Sequence, residues 1–206
     1  MEITWLGHAG FMLEGVKRVY IDPYQIKTGL PPADIVLVTH SHFDHFSQND
    51  IKRILGDSTV IIAPSDCKMS GNLRNVKPGD TIEMGGVRIE AVPAYNIGKR
   101  FHPKESGWVG YVVEMDGVRV YHAGDTDLIP EMKSINADVA LLPIGGTYTM
   151  NVSEAIEAAK TIKPKLAIPM HFGSIVGSTS DAINFCRKCP IDCKVPEIYE
   201  PIKVQF

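Results

Sequence analysis

No stretch of this chain approaches the roughly 18 consecutive apolar residues that a membrane-spanning helix needs, so no membrane association is expected. Neither sign of charge dominates: 21 Lys and Arg stand against 24 Asp and Glu, a net charge of −3. Without a basic surplus there is no dense set of cations to neutralise phosphates, and general nucleic-acid binding is excluded as an expectation. Blocks of like charge, low-complexity segments and short-period repeats are also missing, which argues against disordered tails and solenoids. The start, Met1-Glu2-Ile3-Thr4-Trp5, has no basic region followed by an apolar one. A secretory signal is therefore not expected, and a cytoplasmic location is. Cysteine is scarce, at four residues. Cys186, Cys189 and Cys193 cluster, but a closed zinc site takes four ligands and no His follows Cys193. In a reducing cytoplasm all four, Cys67 included, are expected as thiols, with a disulfide in the Cys186–Cys193 cluster as the alternative. No Ser or Cys nucleophile motif is evident.

What remains is an ordinary globular composition, 44% hydrophobic and 22% charged, in 206 residues. That suits one domain over residues 1–206 with a sizeable core. Short strands dominate the first half: Glu2–Leu6, Gly10–Glu14 and Arg18–Ile21 are separated by Gly and Pro signals. Ile35-Val36-Leu37-Val38 reads as a strand buried on both faces, and a helix is expected within Ser47–Leu55. Val60–Ala63 reads as another buried strand. Thr81–Met84 and Val87–Val92 form a hairpin about Gly85-Gly86, and Val109–Met115 and Val118–His122 repeat it about Asp116-Gly117. Val139–Leu142 and Leu166–Pro169 are further buried strands. Between them Asn151 with Glu154 resembles a capping box, with Ser153 as the rival cap, leading into a helix that Pro164 ends. A last helix near Ser180–Arg187 and a strand near Ile198–Val204 complete the chain. Sheets covered on their outer faces by helices follow from this order.

Chemistry concentrates where strands end. Thr39-His40-Ser41-His42-Phe43-Asp44-His45 directly follows Ile35–Val38. His40 and His42 are two apart and point to one side of an extended backbone. Asp44 and His45 can then present a second cluster to the same space. Three His and one Asp in six residues are costly in a core unless paired or bound to metal. Imidazole and carboxylate together suit zinc, manganese, iron or nickel. Tyr121-His122-Ala123-Gly124-Asp125-Thr126 also follows a strand, and its Gly permits a turn that re-aims Asp125. Pro169-Met170-His171-Phe172-Gly173 is a third strand end of the same kind. Parallel strands deliver such ends to one edge of a sheet.

These motifs, in this order and spacing, resemble the metallo-β-lactamase superfamily, with its His-x-His-x-Asp-His motif, Gly-Asp turn and late His. The resemblance covers essentially the whole chain. It implies an α+β four-layer sandwich (αβ/βα) and one or two divalent metal ions, zinc first, with manganese, nickel or iron as alternatives. By resemblance, His40 and His42 serve the first metal. Asp44, His45 and His171 serve the second, and Asp125 bridges. The short length, the opening Trp5-Leu6-Gly7-His8 and the Tyr121–Thr126 segment are most similar to the branch containing the ascorbate-6-phosphate lactonase.

One departure stands out. The family's third His for the first metal falls in the segment matching Val92-Pro93-Ala94-Tyr95-Asn96, and here Asn96 stands in its place. Either His102 completes the site, or contacts substrate, or Asn96 serves in the missing ligand's place, or neither does and the first site is weakened. His8 lies at the first strand's end among small residues, either as a hydrogen-bonded structural His or as a substrate-facing acid. His122 is read as orienting a ligand. Lys99, Arg100 and Lys104 form a basic loop, either simply solvated or, beside metals, suited to an anionic substrate. Tyr148 follows Gly145-Gly146 in a candidate substrate loop.

The expected activity is hydrolysis of a small ester, lactone or phosphodiester by a metal-bound hydroxide, since a metal brings the pKa of water to roughly 7. Asp44 would orient the hydroxide or carry its proton, with His8 or Tyr148 at the leaving oxygen. Asn96, Arg100 and Tyr148 are the candidate substrate contacts. The rival reading is a non-catalytic metal-binding or sensing protein with a degenerate first site. The expected partner is a small-molecule substrate, with homo-oligomerisation open.

Overall fold

The computed structural model describes residues 1–206. Its first sheet begins with an antiparallel meander of β1 (Glu2–Gly7), β2 (Gly10–Glu14) and β3 (Arg18–Ile21). It continues in parallel through β4 (Ala33–Leu37), β5 (Leu55–Ala63) and β6 (Leu73–Asn75). The second sheet starts with β7 (Thr81–Met84), β8 (Val87–Pro93), β9 (Val109–Met115) and β10 (Val118–His122), all antiparallel. β11 (Val139–Pro143) and β12 (Leu166–Met170) add in parallel. The last strand, β13 (Pro201–Lys203), returns to pair with β1, so the sheet orders are β13-β1-β2-β3-β4-β5-β6 and β12-β11-β10-β9-β8-β7.

Strand alternation sorts the side chains into layers. On β4, Ile35 and Leu37 join the large core that both sheets share, while Val36 lies with Ile51 and Ile54 in a smaller outer core. The helix α1 (Gln48–Arg53) thus covers the outer face of the first sheet. Helices α2 (Val152–Ile162) and α3 (Thr179–Lys188) cover the second sheet through Ala155, Ala159, Ala182 and Phe185. The result is the expected αβ/βα four-layer sandwich. No helix is long and apolar enough to cross a membrane.

Asn151 caps α2, accepting from the Glu154 amide at 3.0 Å while the Glu154 carboxylate accepts from the Asn151 amide at 2.8 Å. Ser153 is not the cap. α3 carries a second box, Ser178 with Asp181. α1 falls within its expected span, whereas β5 is longer than the expected Val60–Ala63, because the strand already begins at Leu55 and runs through Gly56–Ser58. β6 and the two 3₁₀ turns, Lys104–Ser106 and Pro130–Ser134, had no sequence signal long enough to read. The expectation of four thiols is corrected. Cys186 and Cys193 are disulfide-bonded, with Cα atoms 5.1 Å apart, while Cys67 and Cys189 are free. The chain reverses after α3 and Cys193 bridges to Ala167 beside β12, which brings the two cysteines together.

Strand direction positions the site. β1, β3 and β4 run one way, and β8, β10, β11 and β12 likewise agree among themselves. His8, Asp22, His40, Asp125 and His171 each lie just past the C-terminal end of one of these strands.

Candidate metal centre

Seven buried side-chain nitrogen and oxygen atoms have no hydrogen-bond partner, and all seven belong to His8, His45, Asn96, His102, Asp125 and His171. A folded protein leaves few such atoms, and a set confined to one place calls for a ligand there. The Asp125 carboxylate is central. Its Oδ2 lies 3.1 Å from His171 Nε2 and 3.2 Å from His102 Nε2, and its Oδ1 lies 3.3 Å from His45 Nε2. The ring nitrogens are near yet left without hydrogen bonds, because they converge on a common space rather than on the carboxylate. Ligands around shared ions have this arrangement.

Three groups of donors lie within 4.8 Å of one another: His40, His42 and His102; His8, Asp44, His45 and His171; and His40, His45 and Asp125. The residues therefore fit divalent metal. The first group supplies three imidazoles, the second a mixed set, and Asp125 reaches both. These groups gather the residues that the sequence offered as ligands and add His8, which the sequence left as either a hydrogen-bonded structural His or a substrate-facing acid. His8 is 2% exposed and its Nε2 sits 2.9 Å from Asp44 Oδ2.

Asn96 does not stand among the donors. Its Nδ2 donates to the Tyr148 carbonyl at 2.7 Å and lies 3.3 Å from His102 Nδ1, while its backbone amide donates to the His102 carbonyl at 2.8 Å. The loop leaves at Asn96 and is tied back to it at His102, which delivers that imidazole to His40 and His42. The basic loop is largely spent on its own neighbours. Lys99 pairs with Asp127 and the Thr149 carbonyl, and Lys104 with Glu131. Arg100 is exposed and lines no part of the cavity. His122 is fully buried, with Nε2 2.8 Å from the Ala9 carbonyl and Nδ1 accepting from the Gly124 amide, so it fixes the turn that carries Asp125. Gly124 has φ +65, and a Cβ there would lie 2.9 Å from the Val109 carbonyl oxygen.

The residue that sequence reading missed is Asp22. It is fully buried after β3 and accepts from the Thr39 amide at 2.8 Å and from the Thr39 hydroxyl at 2.6 Å. His45 Nδ1 lies 2.7 Å from the same carboxylate and donates to it, which leaves Nε2 free to ligate. Since the Thr39 hydroxyl donates to Asp22, it accepts from His40 Nδ1 at 2.9 Å and turns His40 Nε2 inward as well. An Asp just past a strand end, in Ile21-Asp22-Pro23, was the only sequence signal, and it is shared with ordinary turns. His8, Asp22, His102 and His171 all hold left-handed backbone, at φ 50, 46, 55 and 58. Strain of about 1–3 kcal/mol per residue gathered at one site is typical of functional positions.

The charges follow from packing. Burial, reinforced by His45, holds the His40 imidazole well below its usual range, and burial with His102 lowers His42. Both are then neutral, the form that binds metal. Burial alone would raise the Asp125 carboxyl, but His171 and His45 outweigh it and hold it well below the carboxylate range. Burial would likewise lower His45, yet Asp125 and Asp22 outweigh it and raise that imidazole.

Two sheets with this donor set at one edge define a metal-dependent hydrolase of the metallo-β-lactamase fold. The chain belongs to the beta-lactamase superfamily, whose domain model matches residues 2–171. It is 40% identical over 200 residues to a UPF0173 metal-dependent hydrolase of Methanoregula boonei, covering 90% of this chain and 88% of that one. A solved structure from Parabacteroides distasonis, 35% identical, superposes with a TM-score of 0.84 over 95% of this chain and 92% of that one. Igni18, a metallo hydrolase of Ignicoccus hospitalis, is 26% identical with a TM-score of 0.82, covering 100% of this chain and 98% of that one.

Asp22→Asn should keep the fold but weaken metal binding about 10–100-fold, the usual cost of losing a carboxylate behind a ligating His. Competition against a chelator of known affinity measures it. Unchanged affinity would show that Asp22 only braces Thr39.

Proposed function

We infer that this chain hydrolyses a small ester, lactone or phosphodiester with one or two divalent metals held by His40, His42, His102, His45, His171, Asp44 and Asp125. The observation that carries this reading is the set of unpartnered buried atoms on His102, Asp125 and His171, residues that line a cavity of about 230 Å³. That volume falls below the usual range of roughly 300–1,000 Å³ for drug-sized ligands, which favours a small substrate. Bound there, divalent metal would lower the pKa of water to roughly 7 and draw charge from the reacting oxygen.

The chain's own residues supply the rest. Asp44 lines the cavity, and its carboxyl lies below the usual range: burial raises it, but the hydrogen bond from His8 and the nearby His45 outweigh burial. It is therefore ionised at neutral pH and able to take a proton from attacking water. His8 does not line the cavity. It fixes Asp44 in place, which makes it a positioning residue rather than the acid at the leaving group. Tyr148 does line the cavity, and its hydroxyl makes no hydrogen bond within the chain, so it suits donation to the leaving oxygen. The sensing alternative supposed an incomplete first site, and the placement of His102 beside His40 and His42 disfavours it.

Asp44→Ala should abolish hydrolysis, with at least a 10²-fold loss from removing a proton acceptor, and leave the fold intact. Circular dichroism and a panel of lactones, esters and phosphodiesters with zinc, manganese or nickel added to metal-free protein test it. Full activity in that variant with metal bound would remove the proposed role.

A further inference from the structure

We propose that the substrate is an uncharged carboxylic ester or lactone with an apolar acyl group, seated on a collar formed by Phe43, Phe101 and Ile175. This rests on the hydrolytic reading above and narrows its substrate class. The three side chains line the same cavity as Asp44 and Tyr148, and they are 68%, 45% and 40% exposed. Large apolar side chains so exposed, gathered around one opening, mark a binding surface rather than a core. The Phe101 ring meets Tyr148 edge to face at 4.7 Å, so the collar continues directly into the proposed donor.

Charge decides between substrate classes. A phosphate or carboxylate on the substrate, away from the reacting bond, would need an Arg, a Lys or backbone amides to receive it. No Lys or Arg lines the cavity, and the charged side chains that do, apart from its histidines, are the carboxylates Asp44 and Asp125. Of the cations in the loop beside it, Lys99 is committed to Asp127 and Lys104 to Glu131, while Arg100 is exposed and lines no part of the cavity. A second negative charge would thus lose its water and gain no partner. The reaction balances simply: water adds to the carbonyl carbon, the acyl carbon–oxygen bond breaks, and a carboxylate, an alcohol and a proton leave.

The test compares the p-nitrophenyl esters of acetate, hexanoate and adipate, the last bearing a free terminal carboxylate, on the metal-loaded protein. Each fully buried methylene is worth about fourfold. The collar is open on one side, so hexanoate should exceed acetate in kcat/KM by roughly tenfold or more over four methylenes. The adipate monoester should fall at least about tenfold below hexanoate, given the cost of an unpaired charge. Phe101→Ala combined with Ile175→Ala should bring the hexanoate-to-acetate ratio close to one, and Phe101→Lys should shift preference toward adipate. A flat chain-length series, or adipate preferred by the wild type, overturns the proposal. Binding of hexanamide against acetamide, by calorimetry, decides it independently of turnover. If no ester, lactone or phosphodiester is cleaved, the hydrolytic reading fails, while tighter hexanamide binding still upholds the collar and equal binding overturns it. Self-association that weakens in the double variant, with equal amide binding, would assign the collar to a second copy and also overturn the proposal.

Discussion

Replacing Asp125 with Asn is expected to cost about 10³-fold in kcat/KM and to leave the protein unable to retain its full metal complement. The carboxylate is 4% exposed, and three imidazole nitrogens, of His171, His102 and His45, lie within 3.3 Å of its two oxygens. An amide has the same shape but offers one oxygen instead of two and carries no charge. It can therefore reach one group of donors and not both. Metal-assisted hydrolysis draws several kcal/mol of transition-state stabilisation from the ions, and each 1.36 kcal/mol is a factor of ten. The variant should also change the metal-free protein. His45 is held charged by Asp125 and Asp22 together, so losing one of them lowers its pKa. The folded-state pKa of His45 lies above its unfolded value, so this stabilisation is present below the unfolded pKa and lost as pH rises through the folded one. Metal-free Asp125→Asn should accordingly lose more stability at pH 6 than at pH 9. Metal analysis, kinetics and denaturant titration at the two pH values check the three effects. Two tightly bound metals and near-normal turnover would show that Asp125 bridges nothing.

The fold was legible wherever hydrophobic periodicity and turn chemistry agreed. Ile35–Val38, the two hairpins about Gly85-Gly86 and Asp116-Gly117, and α2 with its Asn151–Glu154 cap all carry both signals. What could not be read were elements held by tertiary pairing alone. β6 has three residues with little burial, and it exists because β5 offers an edge. The ligand motif after β4 was legible because His and Asp so close together have few structural uses. Asp22 was not, since one buried acid looks like any turn until Thr39 and His45 are seen around it. Arg100 shows the opposite failure. A basic loop near the metals suggested anion binding, yet whether a cation reaches a site depends on its neighbours, and Asp127 and Glu131 had already claimed the two lysines. The disulfide was missed because a compartment argument said nothing of geometry.

His102→Ala addresses the departure at Asn96 directly. His40 Nε2 and His42 Nδ1 are 3.1 Å apart, and His102 is the only other donor grouped with them. Removing it leaves two imidazoles with Asp125, and the first site should empty while Asp44, His45, His171 and Asp125 still hold the second. Metal content should then fall towards one equivalent per chain. The affinity lost should exceed the 10–100-fold typical of an outer partner, because a ligand itself is gone. Backbone strain complicates the reading, since His102 has φ 55 and Ala tolerates that region poorly. His102→Gly removes the same imidazole without the strain. Equal metal loss in both variants assigns the effect to the ligand, whereas loss in Ala alone assigns it to the backbone. If His102 instead touches substrate, both variants keep two metals and mainly raise KM. Asn96→His completes the set. An imidazole at that position should not tighten the first site, because the Asn96 side chain is turned toward the Tyr148 carbonyl and braces the loop that brings His102 in. Tighter binding in Asn96→His would mean that the ligand position belongs to residue 96 after all, and that His102 only fills the space beside it.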